Sequence, residues 1–222
     1  MAVAPAASRE TLDRSEVFAH WSLDAVDEPA LAAAEAHCRE AAIELVDRLP
    51  LGPADRPAAE CDEATLLGRL GAPDDWSDVG VRPELSDLVA LHTGDLRAET
   101  SVAEPREQVR QAMVEALDRR GWCPPGTDWA ISGHLWYRPG SLLGWHTNTR
   151  VPGWRAYLSW AAEPGRSFFR YRDPHDGQVH TSWDTGLDLR LFHVSTTDVL
   201  WHCVWSGTER HSFGYRLIDA TA

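Results

Sequence analysis

From Trp129 onward, β-branched and aromatic residues gather in short segments, each closed by turn residues, and this rhythm constrains the fold more than any other feature of the chain. The segments are 129–138, 154–161, 167–172, 178–183, 187–194, 199–205 and 210–218. Between them stand Pro139-Gly140, Pro152-Gly153, Pro164-Gly165, the run from Asp173 to Gly177, and Ser206-Gly207. Proline fixes φ and glycine accepts positive φ, so these breaks read as turns with a mechanism. About seven or eight strands at this spacing predict a sandwich or barrel rather than a parallel sheet.

The first half of the chain has a different period. Residues 28–49 repeat Leu31, Ala34, Cys38, Ala42, Leu45 and Val46 at helical spacing. A second helix is expected from about Pro105 to Arg120, with Val109, Met113 and Leu117 on one side and Arg119-Arg120-Gly121 closing it. Residues 50–103 mix Pro, Gly and Asp with short apolar clusters and read as short helices or loops, and the first fifteen or so residues read as a lead-in. The 222 residues suit one domain, with 1–128 a mainly helical layer and 129–222 a β-sandwich core. The expected class is α+β.

Charge narrows the partners. All 21 basic residues are arginine and the net charge is −13, which argues against general nucleic-acid or anionic-membrane binding. The acid is concentrated early: residues 1–128 hold 12 Arg against 26 Asp and Glu, whereas residues 129–222 hold 9 against 8. The second half therefore does not repel an anionic ligand. Cys38, Cys61, Cys123 and Cys203 are scattered, without a C-x-x-C pair, and read as free thiols. No apolar run has the length of a membrane span and the N-terminus lacks a secretory pattern, so a cytoplasmic protein is expected.

His146-Thr147-Asn148, then His202, then Arg210-His211-Ser212 with Arg216 is the pattern that carries chemistry. Two imidazoles and a carboxylate on one face of Fe(II) leave adjacent positions open for a bidentate cosubstrate and dioxygen. A dicarboxylate chelating there leaves its far carboxylate pointing into the barrel. An arginine forks onto such a group with two parallel bonds and keeps its charge, and Ser212, two residues after Arg210, shares its strand face. Tyr137 is placed to donate a phenolic hydrogen bond to the same group, and Arg216 lies on the Arg210 face with reach to the cosubstrate's other carboxylate or to the substrate.

Residues 129–218 resemble the double-stranded β-helix (jelly-roll) core of the Fe(II)/2-oxoglutarate-dependent oxygenases. The segment from Tyr137-Arg138-Pro139-Gly140 to His146-Thr147-Asn148 is similar to that family's Tyr-x-x-Gly followed by His-x-Asp, except for its last residue. His202 follows as the second histidine, and Arg210 with Ser212 resembles the Arg-x-Ser pair that binds the distal carboxylate of 2-oxoglutarate. The resemblance implies a jelly roll with N-terminal helices packed on it, Fe(II) and 2-oxoglutarate as cofactors, dioxygen and a small molecule as substrates, and hydroxylation as the default outcome. It implies His146, Asn148 and His202 as the metal set, with His146 and His202 catalytic, and Arg210, Ser212, Tyr137 and Arg216 as the cosubstrate set.

Asn148 changes the charge of that motif and keeps its geometry, since strand alternation puts His146 and Asn148 on one side. An amide oxygen is a weaker, neutral ligand. Family members with Gly or Ala there are halogenases, so halogenase-like chemistry is one alternative; a non-catalytic β-sandwich binding protein is another. Asn148 also suits an Asx turn that closes the strand, and a further alternative takes the carboxylate from elsewhere, with Asp198 or Asp184 as candidates. Trp145 and Trp201 must point away from the metal and His211 away from Arg210, as packing residues. Arg155 and Arg170 are the first candidates to hold an anionic group on the substrate.

Overall fold

The computed structural model describes residues 18–23, 26–48, 91–122 and 128–218. Among the described residues, nine strands form one antiparallel sheet that curls into a nearly closed jelly roll, with two α-helices against one outer face. The strands are β1 (Phe18–Leu23), β2 (Leu91–Asp95), β3 (Asp128–His146), β4 (Gly153–Ala161), β5 (Ser167–Arg172), β6 (Val179–Trp183), β7 (Leu187–Val194), β8 (Trp201–Ser206) and β9 (Arg210–Ile218). Their order is β1-β7-β4-β9-β3-β8-β5-β6, with β2 paired to β3. The two ends of the sheet approach each other where Phe18 of β1 stacks on Tyr171 of β5, ring centroids 4.0 Å apart.

The helices are α1 (Pro29–Val46) and α2 (Ala103–Arg119). Proline opens α1 because its missing N–H costs nothing in the first turn. Leu31, Glu35, Cys38, Ala42 and Val46 form its buried stripe, and Val109, Met113, Ala116 and Leu117 form that of α2. Gly121, at φ 74°, donates its N–H to Asp118 and ends α2 as expected. Both stripes pack on Ala156, Leu158, Leu189, Leu191, Phe213 and Tyr215, the outer residues of β4, β7 and β9. Buried Glu28 accepts hydrogen bonds from Arg119 and Arg120, tying the start of α1 to the end of α2.

Two differences from the sequence reading have physical causes. The N-terminal region is not wholly helical: β1 adds an edge strand to β7, and β2 lies on β3 within a stretch expected to form short helices or loops. Strand pairing across the sheet supplies hydrogen bonds that a local reading of 91–95 does not see. Pro139-Gly140 bends a strand instead of ending one. Before it β3 pairs with β9 up to Tyr137↔Arg210, and after it β3 pairs with β8 from Ser141↔Ser206, with Gly140 at φ 82° at the corner. Residues 49–90, with Cys61, fall outside the described residues, as do the lead-in and Cys123.

Candidate metal and anion site

Alternation sorts each strand into an outer and an inner residue set. The inner set includes Arg155, Tyr157 and Ser159 on β4, and Arg210, Ser212, Gly214 and Arg216 on β9. Direct cross-strand partners are Arg155↔Arg216, Tyr157↔Gly214 and Ser159↔Ser212, so the interior runs from a pair of arginines, past a tyrosine, to a pair of serines. Gly214 makes room for the ring: a Cβ there would stand 3.0 Å from Tyr157 Cε1.

His146 and His202 are direct partners across β3 and β8, with ring centroids 4.1 Å apart. His146 Nδ1 donates to the Gly144 carbonyl at 2.7 Å, and His202 Nδ1 donates to the Leu200 carbonyl at 3.1 Å. Each bond fixes the proton on Nδ1 and leaves a lone pair on Nε2, the arrangement a metal-ligating histidine needs. Burial holds both imidazoles below the ordinary histidine range; for His202 the neighbouring His146 adds to the effect. Phe169 stacks on His202 with centroids 5.3 Å apart, and Phe192 packs beside it. The pair is therefore neutral, oriented and backed by aromatic rings.

Asn148 sits beside this pair. Its Nδ2 donates to His202 Nε2 at 3.1 Å and to the Tyr157 hydroxyl at 3.3 Å. In this state the amide N–H takes the lone pair that a metal would use. A half-turn of the amide presents Oδ1 instead, a neutral oxygen ligand. Among the described residues, no His, Cys, Asp or Glu completes a three-ligand group with His146 and His202. The alternative carboxylates are committed elsewhere. Asp198 accepts from Thr197 at the surface, and Asp184 is buried among arginines.

Asn148, Arg150, Arg155, Tyr157 and Arg216 line a cleft of about 870 Å³ that opens at the histidine end of the barrel. Arg155 is buried, yet its hydrogen bonds go to the Val151 and Trp154 carbonyls. Burial lowers its pKa, and facing Arg216 lowers it further. Among the described residues neither Arg155 nor Arg216 has a carboxylate partner, so the cleft carries uncompensated positive charge.

The other interior end is closed. Asp184 bridges Arg190 at 2.7 Å and Arg210 at 2.9 Å, and accepts from Ser159 and Ser167. Burial alone would raise its pKa, but the two arginines and the hydroxyl outweigh burial and hold the carboxyl far below its usual range. Asp188 adds a second buried carboxylate, bonded to His20 and Thr185. Arg210 lies over the Tyr137 ring, guanidinium carbon 5.0 Å from the centroid. Its Nη1 is buried without a partner among the described residues.

The structure thus brings His146, His202 and Asn148 together, gathers Arg155 and Arg216 beside them, and places Tyr137 and Ser212 near Arg210. It does not bring Arg170 to the site. Arg170 pairs across with Cys203, on the side of β8 opposite His202, and spends its Nε on Thr181. Tyr157, Gly214 and Arg190 were not singled out in the sequence. The signal for Tyr157 was there, since Arg155, Tyr157 and Ser159 alternate with apolar Ala156 and Leu158. Trp145 and Trp201 pack in a core on the outer side of β8, as alternation requires.

No protein-family model and no curated protein matches this sequence. Solved structures do match. A Pseudomonas putida prolyl-4-hydroxylase is similar over 90% of this chain and 91% of its own, at 16% identity and a TM-score of 0.50. A prolyl hydroxylase from Trichoplax adhaerens, solved with a hypoxia inducible factor peptide fragment, is similar over 92% of this chain and 84% of its own, at 11% identity and a TM-score of 0.51. The chain has the jelly-roll fold of these hydroxylases.

Proposed function

We propose that this protein is an Fe(II)- and 2-oxoglutarate-dependent oxygenase that acts on a small anionic molecule, with hydroxylation as its outcome. The observation that carries the reading is the His146–His202 pair: two neutral, Nδ1-tethered imidazoles side by side behind Asn148, which lines a cationic cleft. The residues present fit the cofactors. The two Nε2 atoms and a turned Asn148 amide would hold the metal, while the unpartnered Nη1 of Arg210, with Tyr137 and Ser212, would hold a distal carboxylate. Bound iron and 2-oxoglutarate supply the activation of dioxygen. Phe169 and Phe192 keep water from the inner side of His202, and Tyr157 holds Asn148 at the cleft. Arg155 and Arg216 would seat the substrate's carboxylate or phosphate close to the metal.

Titrating the protein anaerobically with Fe(II) and then 2-oxoglutarate tests this. A visible charge-transfer band that His202→Ala abolishes and Arg210→Met weakens is expected, with Arg155→Met keeping the band. A folded protein without a band would refute the reading. A second reading, a binding protein on the same fold, draws on the Asn148 N–H that occupies His202 Nε2 and the Asp184 carboxylate that already engages Arg210. It predicts ligand binding in the arginine cleft without 2-oxoglutarate turnover.

A further inference from the structure

The outer face of the sheet holds a second cluster of ligand-type side chains, remote from the cleft and unused by the oxygenase reading. Cys38 of α1, His134 of β3 and His211 of β9 are all fully buried, and one ligand atom from each lies within 4.8 Å of the other two. The register Trp136↔His211 and His134↔Phe213 sets the two histidines diagonally on neighbouring strands, facing α1. Glu35, three residues before Cys38, shares its helical face and accepts a hydrogen bond from His211 Nδ1 at 3.0 Å. That bond leaves His211 Nε2 to point at its neighbours, and it stands 2.8 Å from His134 Nε2.

We propose that Cys38, His134 and His211 form a structural site for a divalent cation that favours thiolate and imidazole, zinc above all, with Glu35 orienting His211 or closing the fourth position. Three features support it. One thiol and two imidazoles drawn from three elements make a borderline-soft ligand set that matches zinc. A carboxylate on the far nitrogen of His211 is the usual outer partner of a metal-bound imidazole. The two imidazoles also converge on one point: His134 Nε2 and His211 Nε2 stand 2.8 Å apart and share one proton, which a cation between them would displace to His134 Nδ1.

Charge closes around a dication. Binding displaces the Cys38 thiol proton, and His134 carries its single proton on Nδ1. The cation's two charges then meet one thiolate and the Glu35 carboxylate. Glu35 also lines a groove of about 510 Å³ beside Arg39 and Trp160, which gives a route inward from solvent. The site would join α1 to the middle of the sheet, and its binding energy would add to folding.

Refolding the full chain in Co(II) tests the site. One equivalent per chain should give the near-ultraviolet thiolate-to-cobalt band, lost in Cys38→Ala and kept in His146→Ala, which separates it from the iron site. A folded wild type without the band, or a Cys38→Ala protein that keeps it, would overturn the proposal. Zinc-edge X-ray absorption on the wild type needs no variant: one sulfur in the shell supports the site, and a shell of nitrogen and oxygen alone overturns it. A failed 2-oxoglutarate titration would leave this inference untouched.

Discussion

The two ends of the barrel interior are built from the same strands and spend their polar groups differently. At the closed end, Asp184 and Asp188 offset Arg190 and Arg210, and serine hydroxyls fill most remaining bonds. At the open end, two imidazoles turn their Nε2 lone pairs away from their backbone tethers, that of His202 meeting only the Asn148 amide, and two arginines have no carboxylate partner among the described residues. A buried charge without a counter-ion costs stability, so a folded chain keeps one where a ligand supplies the missing charge. The contrast separates the part of the interior that holds the barrel from the part that awaits an occupant. Arg210 belongs to both, since Asp184 holds its Nε while its Nη1 has no partner among the described residues.

The largest effect should come from breaking the closed end. Asp184→Asn leaves two buried guanidiniums facing a neutral amide, at a cost of about 3–5 kcal/mol. For a domain of this size that is a fall in Tm of roughly 10 °C, read by thermal denaturation. The same carboxyl sets the acid response. Its pKa is lowered on folding, so its contribution is complete above the ordinary carboxylate range near 4 and drains away as pH falls toward the folded value. Melting curves carried from pH 6 down through the acid range below 4 should show this loss in the wild type and a flatter profile in Asp184→Asn.

At the open end the effects fall on ligands. Asn148→Asp adds a carboxylate beside two neutral imidazoles and should tighten Fe(II) at least about tenfold by anaerobic titration, equivalent to roughly 1.4 kcal/mol. Arg155→Met should be the mildest for the fold, within about 1 kcal/mol of wild type, because it removes a buried charge that lacks a carboxylate partner. Its effect should appear instead as weaker binding of small carboxylates or phosphates in the cleft. If Arg155→Met unfolded the protein as Asp184→Asn is expected to, the distinction between the two ends would fail.

Much of this architecture is visible in the chain. The segments 167–172, 187–194 and 210–218 match β5, β7 and β9, the first because turn residues bound it on both sides. Alternation alone placed Trp145 and Trp201 on the far side of the strands from His146 and His202. What alternation cannot reveal is partner choice across the sheet. Asp184 lies 17 residues after Ser167 and 26 before Arg210, yet the fold lays it against both and against Arg190. Arg155 and Arg170 look alike in sequence. Only the register, Arg155↔Arg216 against Arg170↔Cys203, turns one into the cleft and the other away. His134 and His211 likewise gain their meaning from α1, which brings Cys38 and Glu35 against them.

The most direct test of the central claim is anomalous diffraction at the iron edge from crystals grown anaerobically with Fe(II). The account predicts a peak shared by Nε2 of His146 and Nε2 of His202, with the Asn148 amide turned away from its hydrogen bond to His202. An intact Asn148–His202 contact with no iron between the two imidazoles would contradict it.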